Sequence, residues 1–324
     1  MKAFLDYASS KYYNGDPIIS DDEFDRLANY SGYERVGAPV TTSNRVTHPF
    51  AMWSLQKCYD DEPLIELPGK VVETPKLDGA AVANYYIFGK HSLSLTRGDG
   101  KAGLDITNKM RLLIPQTIPF SEEPIIQVTG EVVAPKTVEN SRNYAAGALN
   151  LKCIEEFRLK TVTFIAYGIK PSLYDTWSED MEKLYTVAGI PNVLSMSEES
   201  LNEFPQDGKV FRVDNNSKFE SLGYTSKHPR GAFALKERKG GVVTKLLDVE
   251  WQVGRSGIVS PVAILEPVKI GDALVSRATL HNYKYITELN LDYNCYVEVI
   301  RSGEIIPKVV RRVYIGENDE EYIT

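Results

Sequence analysis

A lysine at position 76 is followed two residues later by an aspartate and then a glycine: Lys76-Leu77-Asp78-Gly79. Apolar-rich extended stretches flank it, Lys70 to Thr74 before and Ala80 to Phe88 after. A lysine held between two strands beside a carboxylate is a candidate covalent nucleophile. The tetrapeptide alone is a weak signal, because Asp-Gly is turn chemistry and most such matches are surface turns. Its weight comes from an ordered series downstream. Thr96-Arg97-Gly98-Asp99-Gly100, Gly130-Glu131-Val132, Asp207-Gly208-Lys209-Val210 and Pro229-Arg230 through Lys236 follow in turn.

These residue types suit attack on a phosphate. A free lysine, with a pKa of ~10.4, is a poor nucleophile near neutrality. Burial or nearby cations make it a better one. Arg97, Arg142, Arg212 and Lys236 are the available cations. The same charges would neutralise a phosphate under attack, which is what phosphoryl transfer chiefly needs. Glu131 and Asp207 are carboxylates beside strands, oxygen donors of the kind that hold Mg²⁺ together with phosphates. Tyr85 and Tyr86 offer rings on which a base could stack, although aromatic residues in a strand more often belong to the core. Taken singly, each residue has an ordinary explanation. Arg97 braces a turn, Glu131 is an exposed strand residue, Asp207-Gly208 is a hairpin corner and Lys236 is a solvated charge. Their joint order argues otherwise.

The elements that must position them are legible in outline. Ser20-Asp21-Asp22-Glu23 has the form of a capping box, with Phe24, Leu27 and Ala28 on one apolar face behind it. Residues 31–45, with Gly32, Gly37 and Pro39, read as a linker. Ala80 to Phe88 and Ser92 to Thr96 read as a hairpin around Gly89. Ile106, Met110 and Leu113 keep helical spacing, and Glu182 to Ala188 reads as a short helix. Residues 125–133, 161–169 and 209–213 read as strands rich in β-branched residues. After Gly240-Gly241 the pattern is nearly all strand: 244–247, 258–265, 273–275, 296–300 and 308–314, which predicts a small β-barrel. The acidic tail, Glu317 to Glu321, reads as solvated.

Composition narrows the setting. The 324 residues suggest two or three domains. A net charge of −7 argues against a protein that coats nucleic acid uniformly, but not against local basic faces such as Lys209 to Arg255. Cys58, Cys153 and Cys295 form no C-x-x-C pair, which argues against a cysteine zinc site and fits a reducing compartment. Neither a signal core nor a membrane-length apolar run is visible, so the expected location is intracellular and cytoplasmic.

Taken together, the motifs resemble those of bacterial-type NAD-dependent DNA ligases over nearly the whole chain. KLDG at Lys76 matches the adenylated-lysine motif. Ala51-Met52-Trp53-Ser54-Leu55 resembles the segment that lines the adenylate pocket, and Thr96 to Thr107 is close to the TRGDG…G-D-T signature. Asn140 to Gly147 resembles NPRNAAAG, and Pro229 to Lys236 resembles PRWAxAxK. Val253 to Gly257, Val275 to Asn282 and Arg301 to Pro307 match barrel motifs. Tyr12 to Pro17 and Ser20 to Asp25 resemble the cap that binds the nicotinamide mononucleotide half of NAD, which ATP-dependent ligases lack.

The resemblance implies an α+β chain: a helical cap over 1–45, an ATP-grasp-like nucleotidyltransferase domain over 46–239 and an OB-fold barrel with an acidic tail over 240–324. It implies NAD as adenylate donor, Mg²⁺, and nicked duplex DNA as the partner. By resemblance Lys76 is the nucleophile, with Asp78, Glu131, Asp207 and Lys236 catalytic and Glu131 and Asp207 as metal ligands. Tyr12, Asp21 and Asp25 would meet the nicotinamide half; Ser54, Leu55, Thr74, Arg97, Arg142 and Arg212 the adenylate; Arg255, Arg277 and Arg301 the DNA. The chain departs from the pattern at Phe24, at Thr74 where the family has an acid, at Asn150 for an arginine, at Arg212 for a lysine and at Gly231 for a tryptophan. The family's zinc, helix-hairpin-helix and BRCT modules have no counterpart in the sequence. That brevity suggests a phage or viral short form, and leaves two alternatives: the large subunit of a split ligase with a second protein chain, or an inactive single-strand binder.

Overall fold

The computed structural model describes residues 1–13, 17–33, 45–60, 63–237, 241–253, 257, 259–271, 273–302, 306–315 and 321–322. Two compact units divide the chain, Met1–Glu237 and Arg238–Thr324. In the first, the elements run α1 (Lys2–Tyr13), α2 (Asp21–Ser31), β1 (Arg45–Thr47), β2 (Gln56–Tyr59), β3 (Val71–Leu77), β4 (Ala80–Ile87), β5 (Lys90–Thr96) and β6 (Ala102–Leu104). There follow α3 (Thr107–Met110), β7 (Ile125–Val133), α4 (Ser141–Asn150), α5 (Ile154–Arg158), β8 (Thr163–Lys170) and α6 (Trp177–Thr186). The unit ends with α7 (Glu198–Asn202), β9 (Gln206–Val213), α8 (Asn216–Leu222) and β10 (Ala232–Lys236).

Two four-stranded sheets carry the chemistry, ordered β2-β10-β9-β3 and β5-β4-β7-β8. The second has a different core on each side. One includes Val82, Tyr86, Ile126, Val128 and Val132 and extends to Phe157, Trp177, Met181 and Leu184. The other joins Ala83, Tyr85, Ile87, Leu93 and Leu95 to Phe4, Leu5, Ala8 and Leu27 of the two N-terminal helices. Full burial of such side chains contributes about 1.5–3 kcal/mol each, so α1 and α2 are integral to this core. Polar ties reinforce the seam. The Tyr7 hydroxyl donates to Asp105, Lys90 pairs with Glu23 at 2.8 Å, and the Arg26 guanidinium lies 3.8 Å from the centre of the Phe88 ring. The capping box read at Ser20 is present, with Ser20 Oγ accepting from the Glu23 amide and the Glu23 carboxylate accepting from the Ser20 amide.

The second unit is a closed barrel. β11 (Val242–Val253), β12 (Val259–Ile270), β13 (Ala273–Thr279), β14 (Tyr296–Ser302) and β15 (Ile306–Ile315) are ordered β13-β12-β11-β14-β15. A parallel contact of Thr279 with Lys308 closes β13 onto β15. α9 (Tyr283–Glu288) sits between the third and fourth barrel strands, and β16 (Glu321–Tyr322) pairs with β15. Leu246, Ala263, Leu265, Val275, Val297, Val299 and Val309 fill the interior. Five strands closed in this order are an OB-type barrel, as the strand pattern after Gly241 predicts.

The expected hairpin forms around Phe88-Gly89, and β7 coincides with its predicted span. The helix expected at 182–188 lies instead at Trp177–Thr186, because Thr176 and Glu179 form a capping box that starts it earlier. Most of the 31–45 linker and most of the acidic tail fall outside the described residues. Among the described residues, no helix is long and apolar enough to cross a membrane.

Candidate active site

Lys76 is the penultimate residue of β3, and the alternation of a strand puts Val72 and Thr74 on its face. Cross-strand pairing extends that face. Arg212 lies opposite Val72 and Val210 opposite Thr74, while Ala232 and Ala234 of β10 lie opposite Arg212 and Val210. Lys236 is two residues beyond Ala234 on the same side. One sheet face therefore gathers Thr74, Lys76, Arg212 and Lys236.

Asp207 ties two of these together. Its Oδ2 lies 3.5 Å from Lys76 Nζ and also pairs with Lys236 Nζ. After Lys76 the chain turns sharply against the second sheet. A Cβ on Gly79 would lie 2.2 Å from the Val132 carbonyl oxygen, so glycine is required for this approach. The approach lets the Gly79 amide donate to Glu131 Oε1 at 3.2 Å, while Arg142 Nη1 of α4 reaches Asp78 Oδ1 at 3.2 Å. Burial pushes the Glu131 carboxyl up to about 7, against the pull of Lys76, the Gly79 amide and Arg142 and with a push from Asp78. Lys76 thus stands among Asp207, Asp78 and Glu131, with Lys236 and Arg142 behind the first two.

Arg97 is reached through the glycine-rich loop after β5. Gly98 has φ +58°, and a Cβ there would meet the Ala102 carbonyl at 1.9 Å. His48 pins the loop, with its ring nitrogens 2.6 Å from the Tyr85 hydroxyl and 3.1 Å from the Arg97 carbonyl oxygen. The Arg97 guanidinium donates to Ser54 Oγ, and its Nε has no partner among the described residues. Arg97 lines two hollows. One, of about 290 Å³, is lined by Ala80, Ala81, Leu104, Leu149 and Asn150 among others; the other, of about 240 Å³, by Trp53, Ser54, Lys101 and Lys227 among others.

Several expected residues sit elsewhere. Arg212 shares the face of Lys76, but its guanidinium stacks 3.8 Å from the Phe219 ring centre and bonds Asn216 Oδ1 at 3.2 Å. Burial pulls it down to about 10, and no ion pair joins it to Asp207 among the described residues. Leu55 packs against Val213, Phe219 and Ala232. Tyr85 and Tyr86 are fully buried, so neither presents a face to a base. Tyr167 of β8, which the sequence reading did not single out, is 36% exposed. Burial holds its phenol well above the ordinary value, and the charges of Glu131 and Arg97 act on it. Asp25 is exposed on α2, whereas the side chains of Tyr12, Asp21 and Arg301, and all of Arg255, lie outside the described residues. Arg277 is engaged by Glu250 at 2.6 Å.

For Mg²⁺, no group of three His, Cys, Asp or Glu side chains converges among the described residues. Mg²⁺ needs only one or two protein carboxylates when phosphates and waters complete its shell. Glu131 fits, because only one of its oxygens is engaged among the described residues. Asp207 fits less well, since two lysines share one of its oxygens.

A strand-borne lysine enclosed by carboxylates and cations, with an OB barrel later in the chain, is an arrangement suited to a nucleotidyltransferase that works through a lysine. Comparison narrows the class. Residues 40–188 match the family model for the NAD-dependent DNA ligase adenylation domain, and residues 243–321 that for the NAD-dependent DNA ligase OB-fold domain. The chain belongs to the NAD-dependent DNA ligase family. It is 32% identical to a DNA ligase of Wolinella succinogenes over 94% of its own length and 56% of the relative's. It is 32% identical to one of Campylobacter lari over 96% of its length and 56% of the relative's. The chain thus spans little more than half the length of the curated relatives it matches. Among solved structures, a Lig E DNA ligase aligns with a TM-score of 0.45 at 13% identity, over 74% of this chain and 91% of that one, too loose a likeness to argue from. None of these matches favours the split-ligase alternative over a ligase of the ordinary kind.

Proposed function

We propose that this chain is an NAD-dependent DNA ligase that charges Lys76 with AMP and seals nicks in duplex DNA inside the cell. The observation that carries the reading is the placement of Lys76: it shares a carboxylate oxygen of Asp207 with Lys236 and stands beside Glu131, on a face backed by family-matching sequence. In the first step Lys76 Nζ, having lost a proton, attacks the α-phosphorus of NAD. A P–N bond forms, and the P–O bond to nicotinamide mononucleotide breaks. Lys236 and Arg97 counter the phosphate charge, Asp207 orients both lysines, and the Asp78–Arg142 pair fixes the turn that carries the nucleophile. Mg²⁺ bound at Glu131 would supply further charge neutralisation. AMP then passes to the 5′-phosphate of a nick, and the adjacent 3′-hydroxyl displaces it.

Tyr167, an exposed residue of β8, offers the stacking surface for adenine in this reading. Residues 1–45 act as the cap for the nicotinamide half, with Asp25 available on the open side of α2. Residues 46–239 form the nucleotidyltransferase and 240–324 the DNA-gripping barrel, Arg255, Arg277 and Arg301 serving the phosphate backbone. The test is intact-mass measurement after incubation with NAD or with ATP. NAD should add one AMP to the chain, at Lys76. Charging by ATP instead, or no charging, would refute the proposal.

A further inference from the structure

We infer that the hollow lined by Trp53, Lys101 and Lys227 is a seat for a backbone phosphate of nicked DNA, a contact made by the first unit itself and not by the barrel. The inference rests on the function proposed above. Three segments of the chain build the hollow: residues 51–54, 97–101 and 226–227. Their backbones are tied to one another. The Met52 amide donates to the Gly100 carbonyl at 2.8 Å and the Ser54 amide to the Lys227 carbonyl at 3.2 Å. His228 Nδ1 lies 3.0 Å from the Ser54 carbonyl oxygen. The walls are therefore set before anything binds, which lowers the cost of binding.

The charge on these walls is one-sided. Arg97, Lys101 and Lys227 line the hollow, and among the described residues none of the three pairs with a carboxylate. Asp99 is the only acid in the lining among the described residues, and it is already engaged. Its Oδ1 accepts from the Lys101 and Ala102 amides at 2.9 Å, and its Oδ2 lies 3.5 Å from Arg45 Nη1. Three cations gathered without a counter-charge repel one another until an anion joins them, and this happens in a chain whose net charge is −7. Ser54 and Ser226 add hydroxyls to the lining. Lysine, arginine and serine are the donors that meet nucleic-acid phosphates. Trp53 stacks on Tyr224 with ring centres 5.3 Å apart and is 38% exposed, so it offers an apolar surface to the adjoining sugar. Neither half of NAD claims this hollow. Lys76, Glu131 and Tyr167 do not line it, and no residue of α1 or α2 does. Arg97 links it to the reacting centre, since the charges of Arg97 and Glu131 both act on Tyr167. An anion required beside that centre, but not part of the donor, is the backbone of the strand to be sealed.

The experiment uses the full chain and a duplex with a single nick. Affinity is read by fluorescence anisotropy over a series of salt concentrations, and charging by NAD is read by intact mass. Changing Lys101→Ala and Lys227→Ala together should raise the Kd for the nicked duplex about tenfold. It should also reduce the slope of log affinity against log salt by about 1, the loss of one phosphate contact at roughly 0.9 per phosphate. Sealing of a nick that already carries a 5′-adenylate should fall with the affinity. Charging by NAD, a step without DNA, should fall far less, by no more than about twofold. Lys101→Arg with Lys227→Arg keeps both charges and should bind as the unaltered chain does, which separates a lost charge from a lost fold. An unchanged salt slope in the double alanine variant would overturn the inference. So would slow charging with normal DNA binding, which would put the second phosphate of NAD in the hollow instead. Failure of the unaltered chain to charge with NAD would remove the proposed function, and this inference with it.

Discussion

Replacing Glu131 by glutamine should make the first unit more stable at alkaline pH and flatten its dependence on pH. The wild-type carboxyl sits at about 7 in the folded chain, raised chiefly by burial, against an ordinary 4.5. The folded state therefore holds this proton where the unfolded state has lost it. Stability from this group is full below the unfolded value and is lost as pH rises through about 7. The difference of about 2.5 pKa units corresponds to at most about 3 kcal/mol lost between pH 4.5 and 8. Glutamine keeps an oxygen for the Gly79 amide, so the turn survives while the titration disappears. Fluorescence can isolate this unit, because two of the three tryptophans, Trp53 and Trp177, lie in it and Trp251 does not. In a Trp251→Phe background, urea midpoints measured from pH 5 to 8 should fall for the chain that keeps Glu131 and stay nearly level for the E131Q variant. Parallel slopes in the two proteins would refute the assignment of a buried, proton-holding carboxyl.

Lys76→Ala and Lys76→Arg should both lose the covalent adenylate seen by mass, the second because a guanidinium does not deprotonate to attack; a charged Lys76→Ala protein would place the nucleophile elsewhere. Gly79→Ala should cost about 2 kcal/mol or more in a urea melt and lower charging, since its Cβ would meet backbone at 2.2 Å. Arg212→Lys should cost about 1–2 kcal/mol of stability by losing the stack on Phe219, a loss that a purely ligand-facing arginine would not show. Asp25→Ala, at an exposed position, should leave stability within about 0.5 kcal/mol and raise the KM for NAD in charging; an unchanged KM would remove Asp25 from the donor site.

What could be read from the chain was local chemistry and period. The Ser20 capping box, the hairpin at Gly89, β7 and the barrel strands all declare themselves through neighbouring residues. α4 does not, because Asn143-Tyr144-Ala145-Ala146-Gly147 has too few large apolar residues to mark a face. The series of motifs named the cluster around Lys76, but its wiring depended on register. Asp207 meets both lysines only because β9 lies between β3 and β10. Arg212 shows the limit of motif order: its place on the sheet face agrees with expectation, while its stacking partners come from α6 and α8, whose packing no pattern in the sequence fixes. Tyr167 was hidden in a strand that reads as ordinary core.

The shared core of the N-terminal helices with β4 and β5 bears on how donor choice can be altered. Phe4, Leu5 and Leu27 are completely buried against Tyr85, Leu93 and Leu95, so removing the helices would strip an apolar wall from the sheet rather than subtract an accessory. A truncation meant to ask only about NAD would also ask whether the remainder still folds. By the same reasoning the helices cannot be transplanted onto a ligase of another donor class without a matching hydrophobic socket. With these helices holding the nicotinamide half, as proposed above, donor preference would be inherited with the interior of the protein, and point changes on the outer face of α2 would be the route by which it could be tuned alone.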